Sequence, residues 1–400
     1  MKEILPQIAS AGTRPGVTPV LRPLLPLAER LLPYLRIIDA NRIYTNFGPL
    51  ALELSRRLTA HFLLPNDSVV VAASGTAALI GAILGSAGRA QAERPLAVIP
   101  GLTFVATAAA AEACGYRLHL MDVDPESFLL DPARLLLDPE INRVNVVIPV
   151  AAFGRPVDQA DWRQFREKTG IAVVIDGAAS FEAAAASPRR LLGDIPVAMS
   201  FHATKSFATG EGGCVVTSDI HLAYRIVQAL NFGFLASRDS QTANINGKMS
   251  EYHAAVGLAE LDGWSAKAKA LSIVAETYRR HFTRFNLHRR FIGPPDIASC
   301  YALFQCETID EAQRVESVLQ NEHIEFRFWY GNGIHRQSYY SKLRHGGLPI
   351  TERLAARLVG LPIAPDLTEK TIARISTILA RSVRTGPEAH GVRSQGLPRG

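Results

Sequence analysis

Four cysteines in 400 residues, Cys114, Cys214, Cys300 and Cys306, form no CxxC pair. A chain of this length needs no disulfide staples. They are therefore expected to be reduced thiols, which points to the cytoplasm. No long apolar run occurs either. The start, MKEILPQIASAGTRPGVTPV, lacks the apolar core of a secretion signal. The alanine-rich ATAAAAEACG is shorter than a membrane span and is broken by Glu112. Charge of one sign is scarce too: 43 basic against 37 acidic residues leave +6, too little to indicate a nucleic-acid partner. There is no repeat at solenoid periods, no complete GxxxxGK[ST] loop, no helix-turn-helix signature and no metal-ligand cluster. These gaps argue against a membrane protein, an NTPase and a nucleic-acid binder, and no metal site is expected.

What is present is an ordinary globular balance, 48% hydrophobic and 20% charged. Short apolar runs alternate with helix-like segments. Strands are expected at 69–74, 96–100, 117–123, 144–150, 172–176, 197–201 and 214–218, and helices at 75–87, 103–114, 157–169 and 219–231. Such alternation predicts a doubly wound, mostly parallel sheet of seven strands flanked by helices, with ligands beyond the carboxyl ends of the strands. From about residue 250 the pattern changes to a long helix and then a smaller α+β unit. The expected division is a helical N-terminal segment over 1–40 packing with the small domain, a large domain over 41–250, a small domain over 251–382 and a flexible tail over 383–400. The basic run 278–290 reads as a solvated helix face.

Four local patterns carry chemistry. In AASGTAALIGAIL (72–84) a strand ends at Ser74-Gly75-Thr76 and a helix begins. Free N–H groups and the positive end of the helix dipole make a phosphate site there without a basic side chain. IPGLTFVATA (99–108) repeats the pattern and sets Phe104 at a helix start, where a ring can stack on a planar ligand. VVIDGAAS (173–180) ends an apolar strand on Asp176, a carboxylate that is costly to bury without a partner. SFHATKSFATGEGG (200–213) sets Lys205 between a strand and a glycine cluster, with Ser200 and His202 ahead of it. A lysine so placed is suited to a Schiff base with an aldehyde. Each pattern alone is as well explained by a helix cap or a core residue. Together they supply a phosphate cradle, a stacking ring, a carboxylate and an amine, each at a strand end. Pyridoxal phosphate needs that set.

The chain resembles the DegT/DnrJ/EryC1/StrS aminotransferases, the mostly sugar-modifying branch of the fold type I pyridoxal-phosphate enzymes. The resemblance is carried by RIYTNFGPL (42–50), SGTAAL (74–79), PGLTFVATA, MDVDPESFLLD (121–131), VIPVAAFGRPVD (147–158), the lysine stretch and INGKMSEYHAAVGLAEL (245–261). It implies that Lys205 carries the cofactor and shuttles a proton, with Asp176 holding the pyridine nitrogen protonated. Phe104 would stack on the ring, and Gly75, Thr76 and Ser200 would bind the phosphate. Asn246 would reach the phosphate of a neighbouring subunit, implying a homodimer with shared active sites. His335 resembles a family histidine near the substrate, and the positive charge of Lys248 is compatible with a nucleotide-linked acceptor. In such an aminotransferase a donor, glutamate by family habit, leaves pyridoxamine phosphate, which then aminates a keto sugar linked to a nucleoside diphosphate. Other acceptors in the family are cyclitols and natural-product ketones. A non-catalytic regulator on the same fold and a pyridoxal-phosphate lyase or decarboxylase are the competing classes. One departure stands out. The family's Asp-Ala-Ala-Gln or -His run is here Asp176-Gly177-Ala178-Ala179, so the usual contact to the ring hydroxyl is missing, with Ser180 as the nearest substitute.

Overall fold

A computed structural model describes residues 16–343 and 345–384. The expected tail therefore falls outside the described residues from 385 onward. The strands are β1 (Val69–Ala72), β2 (Leu96–Pro100), β3 (Arg117–Met121), β4 (Val144–Val147), β5 (Ala172–Val173), β6 (Ile175–Asp176), β7 (Val197–Ser200) and β8 (Gly213–Val216). They pair in the orders β3-β2-β4-β5 and β6-β7-β8-β1. The expected single strand 172–176 is interrupted at Val174, whose N–H donates to Val147 O while its neighbours belong to separate ladders. The two ladders thus run on into one another as a seven-stranded layer. β2, β3, β4 and β5 pair in parallel, as do β6 and β7. β1 and β2 are buried along their whole length, as strands covered by helices on both faces must be.

β8 is antiparallel to both neighbours. Only residues 201–212 join β7 to β8, and they hold no crossover helix, so the chain doubles back. Phe201 N–H donates to Gly212 O and Thr209 N–H to Phe201 O, closing this loop. Gly210 takes the left-handed region at φ 85°. A Cβ at Gly212 would lie 2.2 Å from Thr209 Oγ1. The glycine cluster thus shapes a hairpin loop, and Lys205 rides on it.

The helix Gly75–Ala87 has the bounds expected from its sequence. Gln159–Thr169 and Ile220–Leu230 start later than expected because Asp158 and Asp219 are caps, accepting from Ala160 N–H (2.9 Å) and Leu222 N–H (3.0 Å). A cap residue stands outside the helix it starts. The long helix is Glu251–Arg284, capped by Ser250. Glu251 is buried at its first position and accepts from Leu50 N–H (2.8 Å) and Ala51 N–H (2.9 Å). It closes the N-terminus of the helix Pro49–His61 across 200 residues, which explains a glutamate in the NGKMSE stretch.

Beyond it, β9 (Phe291–Ile292), β10 (Leu303–Gln305) and β11 (Leu358–Gly360) form an antiparallel sheet in the order β9-β10-β11. The helices Ile309–Asn321 and Glu369–Arg384 pack beside it around Tyr278, Phe282 and Phe304. At the other end of the chain, Thr18 and Leu21 bridge to Ile324 and Ile363 of this smaller unit. The helix Ala28–Asn41 lies on the long helix, with Tyr34 Oη donating to Asp262 (2.6 Å). No helix among the described residues is long and apolar enough to cross a membrane.

Candidate functional site

The strand ends converge on a cavity of about 380 Å³, a size suited to a small cofactor. Gly75, Thr76, Phe104, Asp176, Ser200 and Lys205 all line it, so six of the sequence-derived site residues share one space. The loops after β1, β2, β6 and β7 deliver them, as the strand-end rule requires.

Ser74 caps the helix Gly75–Ala87 by accepting from Ala77 N–H (3.1 Å). That leaves Gly75 and Thr76 N–H at the open first turn. Gly75 is there for closeness: a Cβ would meet Ser200 Cβ at 2.6 Å and Ser200 Cα at 3.0 Å. The helix start therefore sits directly against the end of β7. Phe104 is the residue before the helix Val105–Ala113 and stays 58% exposed while lining the cavity.

Asp176 is the best-buried charged group of the site, 5% exposed. Thr107 Oγ1 donates to its Oδ2 (2.6 Å) and Ala178 N–H to its Oδ1 (3.1 Å). Thr107 is in turn 2.7 Å from Thr103 Oγ1. Both partners of the carboxylate are uncharged. Burial pushes its pKa up, and these two hydrogen bonds and the Lys205 charge pull it partly back. A carboxylate held this way is short of a cation. A protonated ring nitrogen supplies one, so the site fits pyridoxal phosphate on charge as well as on shape.

Lys205 N–H donates to His202 O (2.8 Å), fixing the loop, and Lys205 Nζ donates to Tyr301 Oη (3.0 Å). Tyr301 lies just before β10, so the smaller unit completes the cavity, with Arg327, Trp329 and Tyr330 beside it. Tyr330 Oη accepts from Phe153 N–H (3.0 Å), and its ring stacks on Phe153 at 4.6 Å. Sequence reading missed these side chains because nothing in IASCYALF or FRFWYG marks a site. Thr107 had one usable signal, its spacing of four from Thr103, which stands just ahead of the same helix.

Three expected residues lie elsewhere. His335 does not line the cavity. It is 5% exposed, its Nε2 is 3.0 Å from Glu352 Oε1, and its ring packs on His345. Asn246 and Lys248 are also outside it. Lys248 Nζ donates to Asn246 Oδ1 (2.7 Å) and sits 4.2 Å from the centre of the Phe232 ring, and burial lowers its pKa. Ser180 is no substitute for the missing ring-hydroxyl contact. Its hydroxyl is buried without a partner, next to Gly177, and outside the lining. Among the described residues no group of three or more His, Cys, Asp or Glu is arranged to hold a metal ion.

The model of the DegT/DnrJ/EryC1/StrS aminotransferase family matches residues 27–380. Protein Rv3402c of Mycobacterium tuberculosis is 32% identical over 367 residues, 89% of this chain and 88% of that protein. The UDP-N-acetyl-3-dehydro-alpha-D-glucosamine 3-aminotransferase of Acidithiobacillus ferrooxidans is 28% identical over 360 residues, 84% of this chain and 96% of the enzyme. Among solved structures, DesI in the presence of its TDP-sugar product superposes with a TM-score of 0.80 at 27% identity, covering 93% of this chain and 94% of that one.

Proposed function

The chain belongs to the DegT/DnrJ/EryC1/StrS aminotransferase family, a fold type I group that works with pyridoxal phosphate, and from that premise we propose that it moves an amino group from L-glutamate to a keto sugar carried on a nucleoside diphosphate. One observation carries the reading: Lys205 and the buried Asp176 face one cavity together with an open helix start. The cofactor, when bound, supplies an electron sink that makes the donor's α-hydrogen acidic and a carrier that keeps the amino group between the two half-reactions.

The protein's own residues do the rest. Gly75 and Thr76 N–H, with Ser200, would hold the phosphate, using hydrogen bonds and the helix dipole in place of a basic side chain. Phe104 would cover one ring face. Asp176 would keep a proton on the ring nitrogen. Lys205 Nζ would anchor the aldehyde, then take the proton from the donor's α-carbon and return it on the carrier side. Tyr301, Arg327 and Trp329 line the cavity from the smaller unit. In this reading residues 41–250 bind the cofactor and residues 251–382 form the lid side. Sugar-nucleotide acceptors are favoured by the similarity to an enzyme named for a UDP-sugar and to DesI with its TDP-sugar product.

A homodimer belongs to the same proposal. Asn246 is exposed and outside its own chain's cavity, and Phe104 is 58% exposed at the cavity mouth. A second copy would receive Asn246 and cover Phe104. The four cysteines are free and buried, in keeping with a reducing cytoplasm.

Gly75→Ala is the sharpest probe of the phosphate site. The added methyl would overlap Ser200 at 2.6 Å and force the helix start off β7. Pyridoxal phosphate affinity, measured by equilibrium dialysis, is expected to fall by roughly tenfold or more, the worth of about one hydrogen bond to a charged group. Unchanged affinity would remove the helix start from the site.

The test of the function is optical. Purified protein with pyridoxal phosphate should develop a visible band, lose it on adding L-glutamate, and regain it on adding a nucleoside-diphosphate keto sugar, with the amino sugar appearing in equal amount. A band that glutamate leaves unchanged would exclude glutamate as donor. A band that glutamate discharges but no keto sugar restores would exclude the sugar acceptor.

A further inference from the structure

Three residues after Asp176 stands Ala179, whose methyl group lines the cavity and offers no hydrogen bond to a ring hydroxyl. The hydroxyl of its neighbour Ser180 is buried outside the lining. Yet a hydroxyl does reach this end of the cavity. Tyr301 Oη accepts from Lys205 Nζ at 3.0 Å. The ring hydroxyl of pyridoxal phosphate sits on the carbon adjacent to the one bearing the aldehyde. A group hydrogen-bonded to the amine that takes up that aldehyde is therefore a neighbour of the ring oxygen as well.

We propose that Tyr301 is the hydrogen-bond donor to the cofactor's ring oxygen, supplying from the smaller unit the contact that Ala179 cannot supply from the sheet. The proposal rests on the reading in which Lys205 carries pyridoxal phosphate. Tyr301 has the proton to give. Its oxygen accepts from Lys205, and it makes no other hydrogen bond among the described residues. Burial, then the Cys300 and Asp176 charges, hold its phenol pKa well above the ordinary value, so the proton stays on. Its ring is gripped edge-on by Phe153 at 5.5 Å and Trp329 at 5.2 Å, which keeps the hydroxyl in place. The titratable groups facing the Lys205–Tyr301 pair are Asp176, Cys300 and Tyr330, with Glu182 beyond Cys300.

The consequence is a definite change in proton affinity. A donor to the ring oxygen stabilises that oxygen's anionic form and competes with Lys205 Nζ for it. Taking the donor away leaves the proton shared between Nζ and the ring oxygen more tightly held.

The experiment is a pH titration of the visible band in the pyridoxal-phosphate-loaded protein, comparing the parent, Tyr301→Phe, and Tyr301→Phe combined with Ala179→Gln. Phenylalanine keeps the ring packing, so the fold is preserved. The midpoint is expected to rise by about one pH unit in Tyr301→Phe, a roughly tenfold gain in proton affinity. It is expected to return toward the parent value when glutamine at 179 restores a donor. An unchanged midpoint in Tyr301→Phe overturns the proposal while the parent's band keeps the functional reading. A raised midpoint that Ala179→Gln leaves in place also overturns it, because Tyr301 then acts on Lys205 and not on the ring oxygen. Absence of a band in the parent would instead sink the functional reading itself.

Discussion

Asp176→Asn is expected to stabilise the cofactor-free protein and to disable the enzyme. The two effects share one cause. In the cofactor-free protein the carboxylate has, among the described residues, only Thr107 and Ala178 as hydrogen-bond partners, both uncharged, and burial raises its pKa above the ordinary 3.8. A raised carboxyl pKa in the folded state means that the folded protein holds this proton more tightly than the unfolded chain does. The stabilising contribution is therefore complete below the unfolded value and is lost as pH rises through the folded one. Above that range the folded protein bears an unpaired buried charge. Asparagine removes the charge and keeps the contacts: its oxygen accepts from Ala178 N–H, and its amide donates to Thr107 Oγ1, which turns its own proton toward Thr103 Oγ1, 2.7 Å away. Thermal melts of the cofactor-free proteins between about pH 5 and pH 8 should show the variant ahead by a few degrees, the gap widening with pH.

Activity should move the other way. Without the carboxylate nothing keeps a proton on the ring nitrogen, and the electron sink weakens at the moment charge develops. A loss of roughly 10³-fold or more in turnover is expected, on the scale of a deleted electrostatic contact at a reacting centre. Saturation with pyridoxal phosphate should not restore it. A variant that is more stable and still fully active would detach Asp176 from the cofactor's nitrogen.

How much of this was legible beforehand follows from where each residue sits. β1 and β2 are apolar runs buried along their whole length, and no helix period competes with them. The break at Val174 was not legible, because it is a matter of which neighbour each N–H finds and the side chains on either side are alike. Nor was the reversal of β8, which comes from the short link 201–212 and not from the strand's own composition. Gly75, Phe104, Asp176 and Lys205 were legible because each stands where a strand runs out, and ligand positions in such sheets are local to those points. Tyr301 comes 96 residues after Lys205 and meets it only when the smaller unit docks. No sequence window contains that contact. His335 shows the opposite case. Its motif is local and recognisable, but a buried imidazole needs a partner, and its Nε2 lies 3.0 Å from Glu352 Oε1.

Lys205→Ala carries the other large effect, and its form matters more than its size. In the proposed reaction Lys205 does two separable things: it holds the cofactor by a covalent bond and moves a proton at the substrate's α-carbon. Alanine removes both, so the visible band of the loaded protein should be absent and turnover should fall by about 10⁴-fold or more. Cofactor binding should nonetheless persist, because the helix start at Gly75 and Thr76, the Phe104 face and the Asp176 carboxylate are all untouched. Equilibrium dialysis should then show pyridoxamine phosphate, which makes no bond to the lysine, binding the variant about as tightly as the parent. Added methylamine should restore part of the turnover, since a small free amine fits the space the side chain leaves and can carry the proton. Rescue without covalent attachment would separate the proton-transfer role from the anchoring role. A variant that still forms the band would place the reactive amine on another lysine.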